Sequence, residues 1–169
     1  MSKGWTIFEK ITGVLQIIFG LVLIYILIWG LNIKLNQFYK ITEITGSDIS
    51  IFKIFYTNHY NLILSLLGIV SGVLLIRNNK IGWILSITTW FSYCIGTILT
   101  TRKIALKNSN FEIFSGQYNI YGLMIIIFLI MGILLISKEF RKKYSPNYKS
   151  WALLILSTAF FILDRLILI

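Results

Sequence analysis

Long uncharged runs alternate with short basic segments along this chain. Between Lys10 and Lys34 the 23 residues from Ile11 to Ile33 carry no charge, and a helix needs about 20 mainly apolar residues to cross the hydrocarbon core of a bilayer. A second run, Asn61 to Ile76, is short for a crossing unless Ile54 to Tyr60 adds a helical or interfacial lead-in, which places this span over roughly 58–76. The third is predicted from Ile81 to about Thr101, the fourth from Tyr118 to Ile136 and the fifth from Trp151 to Ile169. Lipid offers no partner to a free amide, so each crossing must satisfy its own backbone, as a helix does. The pattern therefore predicts an all-α, polytopic integral membrane protein: one domain over 1–169, a bundle of five transmembrane helices. The first run is too long for the 7–15-residue apolar core of a signal peptide and has no small-residue cleavage site, so it reads as a retained span.

Composition agrees. Hydrophobic residues make up 57% of the chain and charged ones 13%, where a soluble domain carries about a quarter. The net charge of +10 does not point to nucleic acid, because the cations sit in clusters between apolar runs, where they fix topology and meet anionic lipid. Five crossings put the N-terminus, the Arg77 to Lys80 link and the 137–150 segment on one side, with nine of the 16 basic residues: Lys3, Lys10, Arg77, Lys80, Lys138, Arg141, Lys142, Lys143 and Lys149. These crowd against span ends, where the positive-inside bias operates, so the expectation is a cytoplasmic N-terminus and an outside C-terminus. Trp5, Trp83 and Trp151 each open a span on the inward side, as an aromatic belt would place them. The single proline and the heavy use of Ile, Lys and Asn resemble, in composition only, small polytopic proteins of AT-rich bacterial genomes, which implies an inner-membrane location.

An internal repeat is visible. "FKIFYTNHYN" precedes the second span and "FEIFSGQYN" the fourth, and the spans close on "GVLLI" and "GILLI". The pattern pairs Phe52, Ile54, Phe55, Tyr60, Asn61 and Gly72 with Phe111, Ile113, Phe114, Tyr118, Asn119 and Gly132. It predicts a tandem helical hairpin opened by a tryptophan, with the fifth span as half a unit. Interfacial aromatic anchoring is the competing explanation.

Several residues invite a functional reading. Ser86, Thr89, Tyr93, Thr97 and Thr100 recur at steps of three and four and make one stripe on the third helix. Such a stripe either lines a hydrated path or packs against neighbouring helices; packing is expected, since buried hydroxyls bond across helices or to the i−4 carbonyl. Gly68 and Gly72 make a Gly-x-x-x-Gly face, and Gly13, Gln16 and Gly20 another, with Gln16 expected to bond a neighbouring helix. Asp164 and Arg165 stand within the fifth apolar run, about 20 Å along it. Intramembrane charge costs up to about 2.5–3.5 kcal/mol at the centre and less near the boundary. The pair could lock the fifth helix, serve an ion or proton route, or mark the outer boundary. Locking is the expectation, with Lys34, Arg102 or Lys103 as partner of Asp164.

No catalytic, cofactor or metal grouping is legible. His59 is the only histidine and reads as an interface residue, Cys94 as a small packing residue, and Glu43, Asp48 and Glu112 as solvated. The expected function is non-enzymatic: a subunit or accessory of a membrane complex acting through helix packing, with lipids, a second copy or other membrane subunits as partners. The alternative is an oligomeric channel, pore or small transporter, including a membrane-permeabilising antiviral effector.

Overall fold

The computed structural model describes residues 2–45, 51–107 and 115–167, with side-chain surroundings for 2–37, 58–102 and 119–167. All the described secondary structure is helical, in six helices: α1 (Lys3–Thr45), α2 (Ile51–Ile76), α3 (Lys80–Lys107), α4 (Ser115–Leu135), α5 (Lys138–Tyr144) and α6 (Tyr148–Ile167). Among them α1, α2, α3 and α6 are each long and apolar enough to cross a membrane. A fifth crossing is available if Asn119–Leu135 and Lys138–Tyr144, which meet at a 51° bend, are taken as one. The chain is thus a helical multi-pass membrane protein candidate with four or five spans.

The helices outrun the apolar runs that predict them. Helix α1 continues to Thr45, well beyond Ile33, and α2 starts at Ile51, so the lead-in before Asn61 is helix. The 137–150 segment between the fourth and fifth apolar runs holds the short helix α5. It ends where Ser145 takes a left-handed conformation (φ 41°) and donates its amide to the Arg141 carbonyl. At the opposite link Asn78 (φ 58°) makes the tight reversal between α2 and α3, a conformation asparagine tolerates better than most residues.

Helix α3 is the axis. Of its apolar window 61% is buried, against 22% for α1 and 17% for α6. It is antiparallel to α2 and α4, and parallel to α6, as the pairs Thr88 with Ser157 and Thr100 with Arg165 require. The outward faces of α1, α4 and α6 are apolar and open, with Tyr25, Ile28, Leu123, Ile126, Leu156 and Leu163 all at least 60% exposed. In water such a surface would drive aggregation; in lipid it is the expected exterior.

Close approach of α1 to α2 depends on glycine. A Cβ built on Gly20 would stand 2.6 Å from the Ser65 carbonyl oxygen, and one on Gly13 2.9 Å from that of Gly72. A Cβ on Gly72 would in turn collide with the Gly13 carbonyl. Both predicted glycine faces therefore meet within one chain, backbone against backbone, where dispersion rather than hydrophobicity holds helices together. Counted from the opening tryptophans, Gly13 and Phe91 both lie eight residues in. Gly72 packs on the first of these positions and Gly132 on the second, where a Cβ would be 3.3 Å from the Phe91 ring. The two hairpins thus share a contact position, close to the backbone in one and filled by a ring in the other. Of the aromatic feet, Phe52, Ile54, Phe55, Phe111, Ile113, Phe114 and Tyr118 lie outside the described side chains.

Candidate functional site

Polar side chains gather at three levels of the bundle. In the middle, Gln16 of α1 is fully buried and reaches α3: its Nε2 donates to the Ser86 carbonyl at 2.9 Å, and its Oε1 accepts from the Ser86 hydroxyl at 2.8 Å. Ser71 of α2 donates to the same oxygen at 3.4 Å and lies 3.3 Å from the Thr89 hydroxyl. One side chain therefore ties three helices. The cause is stereochemical: Gly13, Gln16 and Gly20 share a face, so the two glycines bring α1 close enough for the amide to enter the bundle.

The hydroxyl stripe of α3 divides between two roles. Ser86 joins the Gln16 network, while Thr89, Thr97 and Thr100 donate to the carbonyls of Leu85, Tyr93 and Gly96, one turn back, at 2.7–2.8 Å. Tyr93 is 5% exposed, and its hydroxyl has no partner among the described residues. That hydroxyl lies where a Gly68 Cβ would stand, so Gly68 makes room for a ring of α3 rather than for α1 alone. The Tyr93 ring joins Phe19, Trp90 and Phe128 in an aromatic cluster with centroids 5.5–6.3 Å apart. Cys94 packs beside it, its thiol 3.8 Å from the Ile125 carbonyl.

At the end occupied by the last turns of α6, Asp164 and Arg165 turn to different helices. The Asp164 carboxylate is 2.9 Å from His59 Nε2 of α2. Arg165 Nη2 donates to the Thr100 hydroxyl of α3 at 2.8 Å, and its guanidinium lies 5.0 Å from the centroid of the Tyr60 ring. This corrects the expected partner of Asp164. Lys34 and Arg102 are exposed, and Lys103 lies outside the described side chains. Helix α2, not α1, flanks α6 here, as the edge-to-face contact of Tyr60 with Phe161 also records. Glu43, Asp48 and Glu112 lie outside the described side chains.

At the third level, the opposite end, the sequence reading placed Trp5, Trp83 and Trp151 but not the polar group that they surround. Glu9 of α1 is 1% exposed, ion-paired with Lys143 and hydrogen-bonded by the Tyr144 hydroxyl; Lys143 also donates to Asn78 at the α2–α3 reversal. Lys80 donates to the Ser145 carbonyl at 2.8 Å, and buried Trp83 donates to the Leu135 carbonyl at 2.7 Å while stacking on Tyr144. Trp5 and Trp151 complete the rim, against Phe140 and Trp83 respectively. Four of the seven residues of α5 are cationic. There burial pushes the Tyr144 phenol above its ordinary range, and the Glu9 carboxylate it donates to adds to the shift. The phenol therefore remains a proton donor. A signal was present: stepping back four residues from Gly13 along its face with Gln16 and Gly20 lands on Glu9.

Among the described residues no group of three His, Cys, Asp or Glu side chains is placed to hold a metal ion. No protein-family model, curated protein or solved structure matches this chain.

Proposed function

We propose that this chain is a non-enzymatic subunit or accessory of a membrane complex, acting through helix packing. Its setting in this reading is a bacterial inner membrane, with the N-terminus and α5 on the cytoplasmic side and the end of α6 outside. One observation carries the proposal: the polar groups at the bundle centre are turned on one another and on backbone carbonyls, while the apolar faces of α1, α4 and α6 remain open. Gln16, Ser71, Ser86 and Thr89 form a closed set, which favours a rigid scaffold over a wetted route. Interior rigidity with an unpartnered exterior suits a protein whose work is done by what it packs against.

Extraction of the tagged chain in a mild detergent, followed by mass spectrometry of what accompanies it, tests this reading. A membrane protein recovered in stoichiometric amount is the expected result. A lone monomer that conducts ions in liposomes would overturn it.

A channel, pore or small transporter built from several copies, including the membrane-permeabilising antiviral kind, is the second reading. It is favoured by one feature: Thr97, Thr100 and Thr101, in the outer half of α3, are only half-buried. Ion flux through liposomes that is lost in Thr97→Val would favour this reading.

A further inference from the structure

The half of the bundle toward the end of α6 holds a partly open cavity of about 130 Å³, close to the volume that accepts a benzene-sized body in a protein interior. Its wall is mainly hydrocarbon: Phe19 and Leu23 from α1, Leu64 from α2, and Met124 and Phe128 from α4. One charged group borders it, Arg165 of α6.

Arg165 is poorly compensated. Its sequence neighbour Asp164 is turned to His59, and among the described residues no carboxylate lies within 4.0 Å of the guanidinium. Nη2 has the Thr100 hydroxyl, and the Tyr60 ring lies alongside, but buried Nε has no acceptor among the described residues. On another wall the Tyr93 hydroxyl, in a residue 95% enclosed, is also without a partner. A guanidinium has five donors and cannot discard its charge by deprotonation. In a low-dielectric setting, one neutral oxygen and one ring face leave most of that demand unmet. The complement of a guanidinium is an oxyanion, which it can hold by two parallel hydrogen bonds, and the complement of the remaining wall is an alkyl chain.

We propose that this cavity binds an anionic amphiphile. A carboxylate or phosphate oxygen pairs with Arg165, and the first carbons of its chain lie against Phe19, Leu23, Leu64 and Phe128. The remainder of the chain continues into the surrounding lipid. Fatty acids and anionic phospholipids share this chemistry. The site stands on the cavity and the cation, independently of the subunit role above.

Native mass spectrometry of the full chain in an uncharged detergent tests the proposal, with dodecanoate, dilauroyl phosphatidylglycerol and dilauroyl phosphatidylcholine added separately. One equivalent of an anionic ligand is expected to bind about tenfold more tightly than the neutral lipid. Retention of phosphatidylglycerol alone identifies a phospholipid site, and retention of dodecanoate identifies a site open to free acids; either supports the assignment. Arg165→Gln should weaken retention about tenfold, with Arg165→Lys recovering part of it. Leu23→Trp fills the cavity without touching the cation and should weaken retention comparably, so the test survives if the Arg165 variants fold poorly. Equal retention of all three amphiphiles, or retention unchanged in both Arg165→Gln and Leu23→Trp, would overturn the proposal.

Discussion

The two ends of the bundle each hold a carboxylate, and they hold it differently. Glu9 is enclosed to 1% exposure, with a lysine and a phenol from α5 closing over it. Asp164 keeps 21% of its side chain exposed and faces a histidine that is 29% exposed. Enclosure decides what such groups can do. A fully desolvated ion must be compensated by fixed partners, and breaking that set costs several kcal/mol. A half-solvated ion has water as a substitute partner, so its pairing contributes less and can be exchanged. The Glu9 end therefore reads as a clasp, whereas the Asp164 end is held by a weaker, exchangeable pairing.

Breaking the inner clasp should have the largest effect. Lys143→Met leaves Glu9 buried with only the Tyr144 hydroxyl, and we expect a loss of about 3–5 kcal/mol, seen as a lower melting temperature in detergent and as protease sensitivity around α5. Glu9→Gln removes the charge together with its demand and should cost visibly less, which would separate desolvation from simple loss of contact. The bundle centre provides an intermediate: Gln16→Leu removes the donor to the Ser86 carbonyl and the nearest acceptor of the Ser86 hydroxyl and should cost about 1–2 kcal/mol, measured by the same melt. At the other end Asp164→Asn keeps the shape but removes the carboxylate that faces His59. A drop of about 1 kcal/mol is expected, and an unchanged melt would remove Asp164 from any locking role. Thr100→Val should be the mildest, about 0.5 kcal/mol, because it removes one hydrogen bond with a neutral acceptor while the Tyr60 ring still lies against the guanidinium. If this outer variant proved as damaging as Lys143→Met, enclosure would not be the governing variable.

How much of this was legible in the chain follows from the range of each interaction. Spans could be read because hydrophobic length is local, and the faces of Gly13, Gln16 and Gly20 and of Gly68 and Gly72 because helical periodicity is local. Pairings across the bundle were not. Asp164 and His59 are separated by 105 positions, and no periodicity states which helix flanks α6 or at what height. Expecting a lysine beside an aspartate followed from charge alone, and the fold supplied a histidine from a helix that the charge count did not consider. Glu9 escaped attention because it precedes the uncharged run, in a stretch that resembles a solvated flank; the face it shares with Gln16 was the overlooked cue. Helix α5 was hidden for a similar reason, since a dense cationic segment reads as a loop until Phe140 and Tyr144 are seen to be buried.

The 43 residues of α1 amount to about 64 Å of helix, roughly twice the hydrocarbon thickness of a bilayer. The uncharged run it carries ends at Ile33, and about 16 Å of helix follows from Lys34 to Thr45. Gly13 and Gly20 seat this rod on α2, and its own Phe19 and Leu23 form part of the wall of the Arg165 cavity. A tilt of the rod would therefore reshape that wall directly, without any segment having to unfold.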